Sequence, residues 1–489
     1  MDKTAVVLPV GSTKLQEVEV QALDPARLEP LIGPERMAGF EATAELARQA
    51  LAGRAVLNVN STAAGGGVAE MLQTLLAYVR GAGVNARWLV IDGDADFFAV
   101  TKRIHNGLYG SPGDGGPLGP SEHACYERTL ERNAAELQAL VRPGDVVLLH
   151  DPQTAGLAAS LGGAGARVVW RCHVGRDQPN EWTDRAWSFL RAYLEEVDGY
   201  VFSRAAFAPK WADPARTHIV APSIDPFSAK NEPMSHRSVR LALGYVGLLD
   251  GDGDRPIVPF ARRDGSPGRL DRHVDVVQSG PPAPADAPLV MQASRWDSMK
   301  DMAGVMEGFA AHVDPSLGAH LVLAGPVVTG VADDPEAAEV YEDCVARWGQ
   351  LPHAARGRVH LACVPMADPD EAAAIVNALQ RHASVVVQKS LAEGFGLTVA
   401  EGMWKSRPIV ASAVGGIVDQ IEDGKHGLLI DDPHDLGAFG AAVEQLLRDP
   451  AGANQLGQAA RRRAVDKFLG DRHLAQYGEL FRMLAAPSN

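Results

Sequence analysis

"SVVVQKSLAEGFGLTVAEGMWK", Ser384 to Lys405, decides how this chain is read. It opens on a short apolar run rich in β-branched side chains, as a strand buried in a parallel sheet requires. "KSLAEG" follows as a loop from the strand's carboxyl end, and "FGLTVAEGMWK" reads as a helix. Strand, glycine-bearing loop and helix in succession make one βα unit. Gly394 and Gly396 let backbone N–H groups come close to a ligand, and the helix start adds a positive dipole end, so the loop suits a phosphate. Glu401 lies about five residues into the helix, ~7 to 8 Å from that end at ~1.5 Å per residue. A ribose lies about that far from its pyrophosphate. Glu393, ahead of the helix, faces whatever is attached beyond the last phosphate. By spacing alone, a glycine turn with two solvated glutamates accounts for the same residues.

Outward from this stretch the pattern repeats. Apolar runs "AVLNV" (55–59), "RWLVI" (87–91), "DVVLLH" (145–150), "RVVWRC" (167–172) and "GYVFS" (199–203) alternate with helical segments. After a lapse come "PLVMQAS" (288–294), "AHLVLAG" (319–325), "RVHLAC" (358–363), "SVVVQ" (384–388), "PIVAS" (408–412) and "GLLI" (427–430). Alternation of this kind predicts an α/β chain with two Rossmann-like βα domains. The expected organisation is an N-terminal domain over 1–230 and a linker or insertion over 231–287. A C-terminal domain over 288–465 and a last helical segment over 466–489, crossing back to the first domain, complete it. The lapse is sharpest in "LDGDGDRPIVPFARRDGSPGRLDRHVDVVQSGPPAPADA" (249–287), rich in Gly, Pro and Asp. Ligands of open α/β sheets bind at the strands' carboxyl ends, so two such domains in tandem set a cleft between them.

The chain has 489 residues, 46% hydrophobic, with a formal net charge of −15. That is enough for two buried cores. The acidic balance gives no general field for nucleic acid or anionic lipid, so any bound anion meets a local site. Cys125, Cys172, Cys344 and Cys363 stand without CxxC or metal-ligand spacing and read as reduced thiols. No apolar run approaches the ~20 residues that cross a bilayer, and "MDKTAVVLPVGSTK" has no long apolar core. A cytoplasmic protein without a membrane or nucleic-acid partner is expected.

A second signal supports the phosphate reading. "QASRWDSMKDMAGVMEGF" starts at the end of the first strand of the second domain and puts Arg295 and Lys300 in the loop after it. Two cations there can neutralise a diphosphate leaving group, arginine bidentately. His150 and Asp151, at the end of a first-domain strand, are candidates for acceptor hydroxyls. Asp92 and Asp94, in "IDGDADFF", have the DxD spacing of a metal site, and "DGDGDR" (250–255) begins like a calcium loop. Arg255 and Ala261 stand where that loop needs its turn glycine and its bidentate acid. No metal or cofactor is required on this reading, although magnesium is allowed.

"SRWDSMKD", "QKSLAEGFGLTVAEGMWK" and "VGGIVDQIEDGKHGLLI" resemble the donor-binding half of retaining glycosyltransferases of family four, whose fold is GT-B. Glu393 and Glu401 match that family's E-x7-E pattern. In the first half "LVIDGDADFFAVTKRIHNGLYG" (89–110), "HDPQTAGL" (150–157), "WRCHVG" (170–175) and "SIDPFSAKN" (223–231) are similar to trehalose glycosyltransferring synthases, which join a nucleotide-activated glucose to free glucose. The resemblance covers about Ala55 to Ile430. It implies that Arg295 and Lys300 hold the donor diphosphate. It implies that Glu393, Gly394, Phe395, Gly396 and Leu397 hold sugar and phosphate, with Glu401 on the ribose. His173 matches the histidine beside the reacting sugar, Gly66 and Gly67 match the glycine loop closing on the donor, and Asp92 joins His150 and Asp151 on the acceptor side. The catalytic group implied is therefore His173, Arg295, Lys300 and Glu393. The partners implied are a nucleotide-sugar donor and a small sugar acceptor, with a homodimer allowed. Gly402 departs from the family, standing where alanine is usual, and so does the length of 249–287. A different acceptor, a nucleotide-sugar epimerase on the same fold and a non-catalytic sugar-nucleotide sensor are the rival readings.

Overall fold

In the computed structural model the described residues are 15–63, 67–251, 258–263, 265–328 and 335–485. They form two compact units. One contains the described residues up to Ala221 and those from Asp471 onward; the other is Pro222–Gly470.

The first unit holds a seven-stranded sheet built from β1 (Gln16–Val18), β2 (Val56–Asn60), β3 (Ala86–Val90), β4 (Val146–His150), β5 (Arg167–Cys172), β6 (Gly199–Phe202) and β7 (Thr217–Ile219). Its order is β1-β3-β2-β4-β5-β6-β7, with only the edge strand β1 antiparallel. Every residue of β2 and β4 is buried, because helices cover both faces. Leu57, Val59, Val147 and Leu149 enter the core on one face. Their neighbours Val56, Val146 and Leu148 enter a second core on the other, where Tyr477, Leu480 and Phe481 of the C-terminal helix Gly470–Ala485 meet them. This is why the central strands read as unbroken apolar runs. Asp471 also fastens that helix, accepting from Arg36 Nε at 2.5 Å and Nη2 at 2.9 Å.

The second unit begins its strands with the hairpin β8 (Pro259–Ala261) and β9 (Pro267–Arg269). A second seven-stranded sheet follows, of β10 (Asp275–Val277), β11 (Leu289–Ala293), β12 (His320–Pro326), β13 (Val359–Val364), β14 (Val385–Gln388), β15 (Ile409–Ser412) and β16 (Leu428–Ile430). The order is β10-β13-β12-β11-β14-β15-β16, parallel except for β10. In both sheets the order reverses in the middle, between β2 and β4 and between β11 and β14. Loops leaving the strands on either side of such a reversal diverge, and the gap between them is where doubly wound sheets bind ligands.

The strands expected from the apolar runs are all present. Short strands at the edges were not legible: Gln16–Val18 has a single apolar residue, and Thr217–Ile219 is only three residues long. The expected linker over 231–287 needs correction as well. Its described part contains a helix at His236–Tyr245, the β8–β9 hairpin and β10, which pairs with β13. Buried apolar side chains such as Val239, Leu243, Leu270 and Val274 seat it, and charge adds to them: Arg262 forks onto Asp368 at 3.0 and 2.6 Å, and Arg272 pairs with the buried Glu371. The calcium-like stretch 250–255 falls mostly on residues outside those described.

Candidate active site

In the second unit the candidate groups converge at the carboxyl ends of β11 and β14. After β11 the chain makes two capped turns. Asp297 Oδ1 accepts from Met299 N at 2.8 Å to start the turn Ser298–Lys300, and Asp301 Oδ1 accepts from Gly304 N at 3.1 Å to start the helix Met302–His312. Asp301 sits at φ 47°, ψ 46°, a left-handed conformation that Asp tolerates because its short polar side chain bonds locally. The turns present Lys300, whose Nζ lies 2.6 Å from Glu393 Oε2. Ser390 Oγ donates to the same oxygen at 3.2 Å. Arg295 is half-exposed and reaches Asp297 Oδ2 at 3.1 Å.

After β14 comes the loop of the opening quotation. Gly396 caps the helix Leu397–Trp404 at φ +87°, and among the described residues no side chain caps its start. Gln420 Nε2 instead fixes the loop from its carbonyl side, donating to Phe395 O at 2.5 Å and Gly396 O at 3.2 Å. At Gly415 a Cβ would lie 1.6 Å from Glu393 O, so only glycine lets "VGG" (414–416) pack beneath this loop. The loop's backbone is thus held on two sides. Glu401 is buried, between Lys230 Nζ at 3.4 Å and Gln380 Nε2 at 3.2 Å.

Sequence reasoning missed Lys389. Its side chain is fully buried and its ammonium pairs with Asp301, so adjacent residues make crossed ion pairs: Lys300 with Glu393, Asp301 with Lys389. A lysine ending the run "VVVQ" was the available signal, since a buried lysine needs a partner.

In the first unit the candidates surround the reversal at β2, β4 and β5. Asp151 follows β4 at φ 63° and accepts from His173 N at 2.7 Å, tying the loop after β5 to the loop after β4. Burial pushes its carboxyl up to about 7, against the lowering effect of that N–H and of Arg171. His150 departs from expectation: it is buried, with Nδ1 3.1 Å from His173 Nε2 and Nε2 3.1 Å from Asn58 Oδ1. Both ring nitrogens are engaged inside the unit, so it has none to offer an acceptor hydroxyl. Burial, then Arg171, lowers its pKa to about 3, and the same causes hold His173 well below the usual histidine range.

Asp92 is fixed through its backbone, its N donating to Asn133 Oδ1 at 3.0 Å and its O accepting from Asn133 Nδ2 at 2.9 Å. Asp94 is the N-cap of the helix Ala95–Leu108, accepting from Phe97 N at 2.9 Å, which explains the DxD spacing by local structure. Gly67 is the exposed first residue of the helix Gly67–Gly81; Gly66 lies outside the described residues. Asn58 and Arg171 went unnoticed in the sequence. A polar Asn58 inside "AVLNVN" and a charged Arg171 inside "VVWRC" were the signals for them, and Arg171 is fully buried.

Comparison with known proteins decides what this arrangement belongs to. Residues 58–209 match the model of the trehalose synthase N-terminal domain, and residues 368–463 match glycosyl transferases group 1. The chain is 31% identical to a trehalose synthase of Pyrococcus horikoshii over 93% of its own length and 95% of the relative's. It is 33% identical to one of Rubrobacter xylanophilus over 89% and 91%. The chain belongs to the trehalose synthase family.

It is thus a glycosyltransferase enzyme of trehalose-related glycosyl transfer. The fold is GT-B: an α,α-trehalose-phosphate synthase (UDP-forming) from Burkholderia vietnamiensis superposes with a TM-score of 0.65 at 14% identity, covering 89% of this chain and 100% of that one. The family's N-terminal match starts at Asn58 and takes in Asp92, His150, Asp151 and His173, while the second match includes Glu393 and Glu401. No helix among the described residues is long and apolar enough to cross a membrane. The cysteines are unpaired thiols.

Proposed function

We propose that the protein transfers glucose from a nucleoside diphosphate glucose to free glucose, giving α,α-trehalose with retention and without a covalent intermediate, in the cytoplasm. The observation that carries this reading is Lys300 held 2.6 Å from Glu393 beside a helix start that no side chain caps. Cation, carboxylate and open amides together fit a sugar pyrophosphate. Lys300 and Arg295 neutralise the diphosphate, and the amides of Gly394 to Leu397 bind it. Glu393 accepts from donor-sugar hydroxyls and Glu401 from the ribose. His173 stands at the reacting sugar, and Asp151 with Asp92 orients the acceptor.

As the C–O bond to the diphosphate breaks, the acceptor hydroxyl approaches the same face and its proton passes to the departing phosphate oxygen. The protein supplies position and charge rather than a nucleophile. The two cations do the neutralising, so the reaction needs no resident metal, and a chelator leaves it intact.

Incubation with UDP-, ADP- and GDP-glucose plus glucose tests the reading by NMR of the products. Trehalose and stoichiometric nucleoside diphosphate are expected, with chelator present or absent. Four outcomes would overturn it: conversion of maltose alone into trehalose, turnover of the nucleotide sugar with no acceptor, transfer only to another acceptor, or binding without turnover.

A further inference from the structure

We propose that Asn58 and His150 are positioning residues that lock His173 in its Nε2–H tautomer, leaving Nδ1 as a hydrogen-bond acceptor for a sugar hydroxyl. A line of three side chains crosses adjacent strands: Asn58 in β2, His150 at the end of β4, His173 just after β5. Its two links, Asn58 Oδ1 to His150 Nε2 and His150 Nδ1 to His173 Nε2, are both 3.1 Å.

An amide oxygen only accepts, so His150 Nε2 carries the hydrogen of the first link. A neutral imidazole has one N–H, which leaves His150 Nδ1 bare. The second link then needs its hydrogen on His173 Nε2, and His173 Nδ1 is left with a lone pair. Nδ1 makes no hydrogen bond among the described residues. The assignment requires both rings to be neutral, since a second N–H on His150 would face the N–H of His173. The charged and titratable groups around them are Arg171 on β5, Asp151 after β4, and His473 and Tyr477 on the C-terminal helix. Burial and the cationic Arg171 both favour neutral imidazoles. Asp151 opposes this, but its carboxylate is engaged by His173 N. The ring centroids are 5.4 Å apart and the planes 15° off parallel, so the two imidazoles lie edge to edge with the second link between them.

That the hydroxyl belongs to the transferred glucose rests on the proposed function; the tautomer does not. The test is a long-range proton–nitrogen NMR spectrum of the full chain labelled with 15N-histidine, in mildly alkaline buffer, with His173 assigned through the loss of its signals in His173→Asn. A protonated Nε2 and bare Nδ1 are expected at His173. Asn58→Leu should mix the two tautomers and lower kcat about tenfold with KM nearly unchanged, the size of effect one buried hydrogen bond exerts. Asn58→Gln keeps a neutral accepting amide oxygen and should restore both in part, whereas the carboxylate of Asn58→Asp favours a second proton on His150 and should not. A protonated Nδ1 in the natural protein, or an unchanged tautomer in Asn58→Leu, overturns the proposal. A protein showing the expected tautomer but making no trehalose would support the lock and overturn the glucose transfer.

Discussion

Two residues at the site make separable predictions. Lys300 meets Glu393 in a largely buried pair, so its truncation removes a cation, the one that neutralises the leaving diphosphate on the proposed function, and strands a carboxylate. Lys300→Ala should lower kcat/KM at least about a hundredfold, the scale on which preorganised charge at a transition state acts. Lys300→Arg should recover part of it, and steady-state kinetics with circular dichroism as a folding control checks both. Asp151 has its carboxyl raised from 3.8 to about 7 by burial. A raised folded-state pKa contributes stability below about 3.8 that is lost as pH rises through about 7. On the proposed function, the charge that orients the acceptor hydroxyl develops over the same rise. The KM for the acceptor should therefore fall several-fold on passing from pH 6 to 8, and Asp151→Asn should abolish that dependence. An unchanged slope in the variant would remove Asp151 from the acceptor site.

Among the elements, the helix Leu397–Trp404 shows what a small departure from the family does. Gly402 lies inside this eight-residue helix, and a Cβ there would rest 3.4 Å from Ile409 Cδ1 and from Val386 Cγ1, ordinary contact distance. Glycine loses more backbone freedom on folding than alanine, so Gly402→Ala should stabilise the protein by about 0.5–1 kcal/mol. A rise of the urea midpoint at unchanged slope is the expected signature. The loop and helix around Gly402 were readable in the sequence because their chemistry is local: a strand run, glycines where the backbone must turn, carboxylates at a fixed spacing. Asn58–His150–His173 and Lys389–Asp301 were not, because each joins residues from different βα units. Only the strand order of the folded sheet makes them neighbours. The same reason hid the hairpin and β10 in 231–287, where arginines seek carboxylates about a hundred residues away. His150 was assigned to the acceptor from its place at a strand end, but its side-chain partners turn it inward.

Across the chain, buried histidines set the response to acid. His150, His173 and His473 lie in the first unit with pKa values depressed chiefly by burial, His150 to about 3. In the second, burial and His320 lower His360 to about 4, while His320, His382 and His426, like His218 in the first unit, are lowered to a lesser degree. For a base whose folded pKa is depressed, the unfolded chain takes up its proton first as pH falls below 6.5. Stability is then lost at up to about 1.4 kcal/mol per pH unit for each such group until its folded pKa is reached. Asp151 acts in the opposite sense between about 7 and 3.8, but one carboxyl does not offset three imidazoles. The first unit should therefore lose stability more steeply than the second between pH 6 and 5. Hydrogen exchange followed by mass spectrometry at those two values checks this, with protection expected to fall first in β2, β4 and β5. His473→Phe places an apolar ring beside Tyr477 in the core and removes one of the three protonations. It should flatten the acid dependence of the first unit while leaving that of the second untouched. Equal loss in both units, or a variant as acid-sensitive as the natural protein, would show that these histidines do not govern the transition.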